Sequence, residues 1–396
     1  MKEKYKLTIE PITCVHVGSG EKLTPLDYFI ASNPKTQKNF YIKYSSDEIL
    51  MRYATNPKVM AEFEEATSNG MKEVLNFFVK YRDIKLDEEY RCGTTKEFVK
   101  KYKENRTKDP LQNASEVMQQ YRPAGSKNPV IPGSSIKGSI RTAVLNYILL
   151  KEMEDSSYNN LKSFADKKKK DDFRKNGGYA SEIENRALEI LKDDKENNAQ
   201  KDPFRCVEIS DAEFTAKDQL VGLMKNISTD TRTDELKPIK KLQMIAEVVP
   251  GFLTNAYSPK TEANLRINES LQKGNPAIHK KISADYIIKA CNFFYKRIFK
   301  NEYEKFYRDA SEHTDRIVKL KSEFGNLKEN QFILRVGRWS QVEFVTFGND
   351  FRNPVTPKDK KTGEPKSYGE TRIVFDYDGD YLPLGWCKCT LTKAGE

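Results

Sequence analysis

Apolar and polar residues alternate along Lys4–Thr13 (K-Y-K-L-T-I-E-P-I-T), the two-residue period of a strand. Gly18 and Gly20 then turn the chain sharply, and the segment ending at Ile30 returns as a second strand. From Ser45 to about Tyr121 the pattern lengthens to a helical one, with Ile49, Val59, Phe63, Val74, Leu75, Phe78 and Val79 as its apolar positions. Ile136, Ile140, Ala143, Val144 and Tyr147 also recur at helical spacing and make one face suited to packing on a sheet. Phe204–Phe214 reads as a strand with Cys206, Glu208 and Ser210 on one side and Val207 and Ile209 on the other. Leu242–Leu253 is another strand, placed at the opening of a second domain. Ile282–Lys321 is helical, with Tyr286, Ile287, Ala290, Phe293, Phe294, Ile298 and Phe306 as its buried stripe. Gln331–Val336 is an apolar strand, Gly337–Ser340 interrupts it, and Val342–Phe347 resumes strand character. Arg372–Asp376 and Trp386–Leu391 complete the set.

Within this pattern Pro129–Leu150 carries the densest chemistry. Pro129 and Pro132 stiffen an extended approach, and Gly133 allows backbone to come close to something else. Ser134 and Ser135 are good helix caps, and Lys137 and Arg141, four apart, share a face near the positive end of the helix. Glycines, hydroxyls, amides and two cations at one helix start read as a phosphate cradle, with Gly138 as the second glycine. A nucleotide-binding P-loop needs G-x-x-x-x-G-K-[ST]. Gly133 and Gly138 have that separation, yet Ser139 stands where the lysine belongs, which argues against ATP or GTP at this loop. The competing reading is a capped amphipathic helix with surface charge.

Length and charge narrow the class. A chain of 396 residues suggests two or three domains. Lys plus Arg exceed Asp plus Glu by 68 − 58 = 10, which suits a polyanionic partner. Only 37% of the residues are hydrophobic and 32% are charged, so long solvated segments are expected. The dilute stretch Glu152–Gln200, with four lysines at Lys167–Lys170 and a short helical patch at Ile183–Leu191, is read as a mobile basic loop. Thr356–Lys366 is a second loop. No apolar run is long enough to span a membrane, and no signal-peptide core stands at the N-terminus. Cysteines at 14, 92, 206, 291, 387 and 389 lack zinc spacing, so a cytoplasmic, reduced, metal-free chain without cofactor is expected.

The run P-G-S-S-I-K-G-S-I-R from Pro132 to Arg141 resembles, without a break, the glycine-rich signature of the RAMP superfamily, the RNA-binding proteins of CRISPR systems. The segment V-H-V-G-S-G followed by P-L-D-Y is similar to the H-x-G-[ST]-G-like turn of the same superfamily, in the form found in the fifth subunit of type III-A Csm effectors. The run F-I-L-R-V-G-R-W resembles the C-terminal glycine turn of that subunit family. The resemblance implies two ferredoxin-like (RRM-related) α+β domains with helical and loop insertions. The first spans 1–240, with a helical insertion at 45–125 and the basic segment at 155–200; the second spans 241–396. It implies a non-catalytic subunit that caps the effector at the 3′ part of the CRISPR RNA and supports its maturation and antiviral interference. CRISPR RNA, the backbone RAMP subunit and other Csm subunits are the implied partners, with host ribonucleases joining during maturation.

The implied RNA contacts are His16, Gly18, Ser19 and Gly20 in the first turn, Gly133, Ser134, Ser135, Lys137, Gly138 and Arg141 in the central motif, and Arg335, Gly337, Arg338 and Trp339 near the end. Arg335 and Arg338 are suited to clamp phosphate, and Trp339 to stack a base or to anchor the turn. His16 reads either as a general base or as a strand-end histidine that is hydrogen-bonded or touches RNA. Asp27 lies near the place where the backbone subunit carries its target-cleaving aspartate, and equally reads as a strand-edge residue. An endoribonuclease using His16, or a polymerising backbone subunit, are the alternatives. The basic–aromatic clusters Lys80-Tyr81-Arg82, Lys100–Lys103 and Tyr121-Arg122 fit either single-stranded RNA or a solvated surface.

Overall fold

A strand with one apolar face needs neighbours on both edges and a helix layer over that face, and Lys2–Pro11 finds all three. The computed structural model describes residues 2–105, 115–170, 179–190, 198–229, 236–254, 258–308, 314–348, 351, 371–377 and 379–394. Lys2–Pro11 is the centre of a five-stranded antiparallel sheet ordered Gln331–Arg335, Trp386–Lys393, Lys2–Pro11, Thr261–Asn268, Val207–Ile209. Leu7 and Ile9 point inward and are buried, while Lys6 turns outward to Glu262 at 2.8 Å. Helices Gly133–Tyr147 and Ala284–Phe306 join the same core. Ile136, Ile140, Ala143 and Val144 are fully excluded from solvent, so the face read from the sequence is the one that is buried. Each such Ile or Val contributes roughly 1.5–3 kcal/mol relative to an exposed position.

A second, curled sheet runs Gly18–Leu23, Val117–Gln120, Leu236–Val248, Leu220–Thr229, Glu88–Thr94, Asn39–Tyr44, Tyr28–Ser32. Thr371–Tyr377 also pairs with Leu220–Thr229, and Asp380–Pro383 lies beyond it. The architecture is α+β, with ferredoxin-like domains carrying helical and loop insertions. Both sheets draw strands from either side of residue 240, so a border there does not separate them. Leu236–Val248 in particular pairs back onto Leu220–Thr229 rather than opening a new unit.

Three expectations change on contact with the fold. The stretch read as uniformly helical holds helices Ser46–Tyr53, Pro57–Asn69, Met71–Tyr81 and Lys96–Asn105, but also strands Glu88–Thr94 and Val117–Gln120. Tyr90 and Cys92 alternate into a core that only the assembled sheet creates, and this tertiary gain outweighs local pattern. Glu152–Gln200 is no simple solvated loop: helices Asp155–Lys170 and Tyr179–Ala187 bury Leu161, Ala165, Ile183 and Ala187 in the main core. Residues 171–178 and 191–197 within it, and the loop at 356–366, lie outside the described residues. Finally, Val342–Phe344 is a 3₁₀ turn instead of a strand, because Phe344 folds back over the Arg335 guanidinium and the Trp386 ring.

Beneath that turn lies a quartet of charges, three of them buried and Glu343 at the edge. Arg335 Nη1 donates to both oxygens of Glu302, at 3.1 and 3.2 Å, and its Nε donates to the Leu384 carbonyl at 2.8 Å. Arg372 donates to Glu302 at 3.2 Å and to Glu343 at 3.0 Å. The quartet ties the long helix to a strand of each sheet. All six cysteines are buried free thiols, and Cys387 and Cys389 are both buried in one strand. Among the described residues no cluster of His, Cys, Asp or Glu is arranged to hold a metal, and no helix is long and apolar enough to cross a membrane.

Candidate nucleic-acid interface

The seam between the two sheets is where sequence-distant candidates converge. Val15 bridges to Val249, and the next residue, His16, is wholly buried. Its Nδ1 lies 2.7 Å from the Glu247 carbonyl oxygen, an acceptor, which assigns the proton to Nδ1 and leaves Nε2 bare. Burial pushes His16 down to about 4, and the Arg338 cation acts in the same direction against the stabilising Glu247 carbonyl. The ring is therefore neutral at neutral pH. Nε2 has no hydrogen-bond partner among the described residues.

The Gly337–Ser340 turn closes over this ring. The Arg338 backbone N–H donates to the His16 carbonyl at 2.7 Å, and Ser340 Oγ donates to the Gly337 carbonyl at 2.6 Å. A Cβ on Gly337 would fall 2.4 Å from the His16 carbonyl oxygen, and its φ of +88° is one that glycine adopts without strain. Trp339 and Gln341, both at φ +63°, hold the same left-handed region at a cost. Trp339 stacks on His16 with centroids 4.9 Å apart and planes at 24°, and the exposed Arg338 guanidinium lies 5.5 Å from the Trp339 ring centre. Gly18 is exposed beside them, its would-be Cβ 3.0 Å from His16 Nε2 and 3.8 Å from Arg338 Nη1. Ser19 Oγ accepts from the Glu21 backbone N–H and donates to Gln119 Oε1 at 3.2 Å, and Gly20 turns the chain at φ +96°. His16, Gly18, Arg338 and Trp339 are thus one constellation.

The central motif behaves differently. A Cβ on Gly133 would sit 2.2 Å from the Ile209 carbonyl oxygen, so this glycine serves packing against the sheet rather than ligand approach. Neither serine caps the helix. Pro132 occupies the N-cap, and the Gly133 N–H donates to the Asp211 carboxylate at 2.7 Å, so one donor of the expected cradle is already taken. Arg141 is likewise committed, donating to Asp202 at 2.8 Å and to Glu184 at 2.8 Å while lying over the Phe204 ring. Ser139, in the P-loop lysine's place, shares its one hydroxyl proton between the Ser135 and Arg335 carbonyls and fastens the helix to the neighbouring strand. Ser134 and Gly138 remain exposed, and Lys137 makes no ion pair among the described residues. Arg335 is fully buried in the quartet and presents no face to a phosphate.

Asp27 caps its own turn, accepting from the Thr24 N–H and hydroxyl at 2.7 and 2.9 Å. The Lys80-Tyr81-Arg82 cluster is paired within the chain as well, though Lys80 is exposed: Lys80 and Tyr81 share Glu62, and Arg82 lies over Phe29. Arg122 is buried against Glu247 at 2.8 Å and stacked on Tyr90. Sequence reasoning did not single out Glu247 or Gln120, which organise the floor of the seam. Glu247 accepts from Tyr90, the Gln120 backbone and Arg122, and Gln120 Oε1 accepts from the Val17 N–H at 2.9 Å. The available signal was a lone glutamate inside the apolar run I-A-E-V-V.

The sequence pattern of the RAMP superfamily matches residues 8–340, a span containing the first turn, the central motif and the Gly337–Ser340 turn. No curated protein matches the chain. Among solved structures it is similar to a chain of a Csm–crRNA–target RNA ternary complex from a type III-A CRISPR-Cas system, with 18% identity over 99% of this chain and 100% of that one, at a TM-score of 0.64. It is also similar to Csm5 from T. onnurineus, with 15% identity over 85% of this chain and 92% of that one, at a TM-score of 0.57.

Proposed function

The chain belongs to the RAMP superfamily, and from that premise we propose that it is an RNA-binding subunit of a type III-A CRISPR effector. It caps the complex at the 3′ part of the CRISPR RNA, beside the last backbone RAMP subunit, and cuts nothing itself. CRISPR RNA and the other Csm subunits are its partners in the cytoplasm, with host ribonucleases joining during maturation. The observation that carries the RNA reading is the seam constellation. An exposed arginine, a tryptophan at positive φ and a buried histidine with an orphaned nitrogen stand together at a glycine turn. Strained backbone that gathers a cation and an aromatic ring fits single-stranded RNA, which is bound by phosphate neutralisation and base stacking.

The nuclease alternative is disfavoured by geometry. His16 is buried, neutral and tied to Glu247 through Nδ1, and the Asp27 carboxylate is occupied by Thr24. The backbone alternative sits poorly with the helical insertion, which each repeat of a filament would have to accommodate. The test is a tagged pull-down from cells expressing the effector, sequencing the RNA and identifying the proteins recovered. Guide RNA and backbone subunit should copurify, and the purified chain should leave labelled guide intact with and without Mg²⁺. Recovery without RNA and outside the complex would refute the proposal, and site-specific cutting lost in His16→Phe would replace it with the nuclease.

A further inference from the structure

Two buried polar atoms of opposite kind belong to residues beside Gly18, one two positions before it and one across the strand pair. His16 Nε2, deprotonated because Nδ1 is held by the Glu247 carbonyl, accepts hydrogen bonds and has no partner among the described residues. The Gln120 Nε2 amide donates, and it too is buried without a partner among them. The amide orientation is set, since Gln120 Oε1 is engaged by the Val17 N–H. Gln120 is the cross-strand neighbour of Gly18, and the Cβ that Gly18 lacks would lie 3.0 Å from His16 Nε2. Burying a bare acceptor and a bare donor costs stability unless something satisfies both. The open wall of this place is Arg338, exposed and in no ion pair among the described residues.

We propose that His16 and Gln120 read a ribose 2′-hydroxyl of the strand crossing Gly18, making this seam the point where the protein tells RNA from DNA. The inference rests on the RNA-binding reading above and adds its chemical discriminator. A neutral imidazole acceptor repels a phosphate oxygen, so the group it takes must donate. A hydroxyl gives its proton to His16 Nε2 and accepts from the Gln120 amide with one atom, which a deoxyribose cannot do. Arg338 leaves the turn for the adjoining phosphate and uncovers the pair, while Trp339 keeps the histidine ring in place from its stacked face. Gly18 is glycine because a methyl there would cover the acceptor.

The experiment measures the affinity of the full chain for one sequence made as RNA, as 2′-fluoro strand and as DNA, by fluorescence anisotropy. The wild type is compared with His16→Phe, which keeps a ring for Trp339, and with Gly18→Ala, which changes only an exposed residue. RNA should bind roughly three- to ten-fold tighter than the 2′-fluoro strand, the worth of about one hydrogen bond, and both variants should lose that preference. Melting curves establish that the variants are folded, and Gly18→Ala decides the matter if His16→Phe is not. Equal binding of RNA and 2′-fluoro strand by the wild type, with RNA still bound, overturns the inference and leaves the RNA-binding reading standing. So does a preference that survives in Gly18→Ala. Failure to bind any of the three strands refutes both.

Discussion

Arg335 and Arg338 stand three residues apart on the same strand-and-turn, yet they belong to opposite regimes. Arg335 is buried with Glu302, capped by Phe344 and bound to the Leu384 carbonyl, every part of it turned toward the protein. Arg338 is exposed, with a tryptophan for company. The same division separates the two glycine motifs. In the central motif Asp211, Asp202 and Glu184 have taken the amide and the arginine, leaving Lys137 and exposed Gly138. At the seam the buried polar atoms His16 Nε2 and Gln120 Nε2 have no hydrogen-bond partner among the described residues. A basic residue beside a glycine is thus no measure of a free cation; what decides is whether an acid has already neutralised it.

The sharpest way to break this comparison is to truncate the two arginines separately. Arg335→Ala should lower the unfolding free energy by ~3 kcal/mol, because it takes from buried Glu302 the partner of both its oxygens and leaves Arg372 alone to hold it. Arg338→Ala should change it by less than ~0.5 kcal/mol, as befits an exposed side chain. Denaturant titrations of both variants read this directly, and similar losses would erase the distinction. A smaller contrast concerns the glycines. Gly133→Ala drives a methyl into the Ile209 carbonyl and should cost ~1–3 kcal/mol, whereas Gly138→Ala meets nothing within 4 Å and should stabilise by up to ~1 kcal/mol. Thermal melts of that pair test whether the motif's first glycine is a packing device.

The smallest effect is in salt dependence. If Arg338 neutralises one phosphate, Arg338→Ala should lower the slope of log affinity against log salt by ~0.7, and Lys137→Ala should do the same. Arg141→Ala should leave the slope unchanged and cost less than ~1 kcal/mol of stability, since its carboxylate pairs are partly exposed. A slope that falls equally in the Arg141 variant would return that residue to the RNA.

What the sequence made legible is what repeats locally. The helix face of Ile136, Ile140, Ala143 and Val144 could be read because its period is its own evidence of burial. The strands at both ends of the chain followed for the same reason. Partnerships across the chain were not legible. Ser134 and Ser135 looked like caps, but an aspartate 78 residues later took the first donor. Arg335 looked like a clamp because nothing in F-I-L-R-V-G-R-W announces Glu302 in a preceding helix. His16, Gly18, Arg338 and Trp339 were each singled out, but their stacking against one another follows from the meeting of two sheets.

The central strand of the first sheet sets a clock on how this protein is made. Lys2–Pro11 lies between Thr261–Asn268 and Trp386–Lys393, so this strand waits for neighbours encoded far downstream. At about 5–20 residues per second the second neighbour leaves the ribosome roughly twenty seconds to more than a minute after the first strand. Until Thr261–Asn268 is made both edges of this apolar strand are unpaired, and one stays so until Trp386–Lys393 follows, the condition under which chains pair with the wrong partner. Closure of the sheet is therefore a late, long-range event, slow for its contact order. The His16–Trp339 seam, which needs that sheet and the Gly337 turn together, is among the last features to form. A chain released early carries the RAMP signature yet lacks the seam proposed to grip RNA.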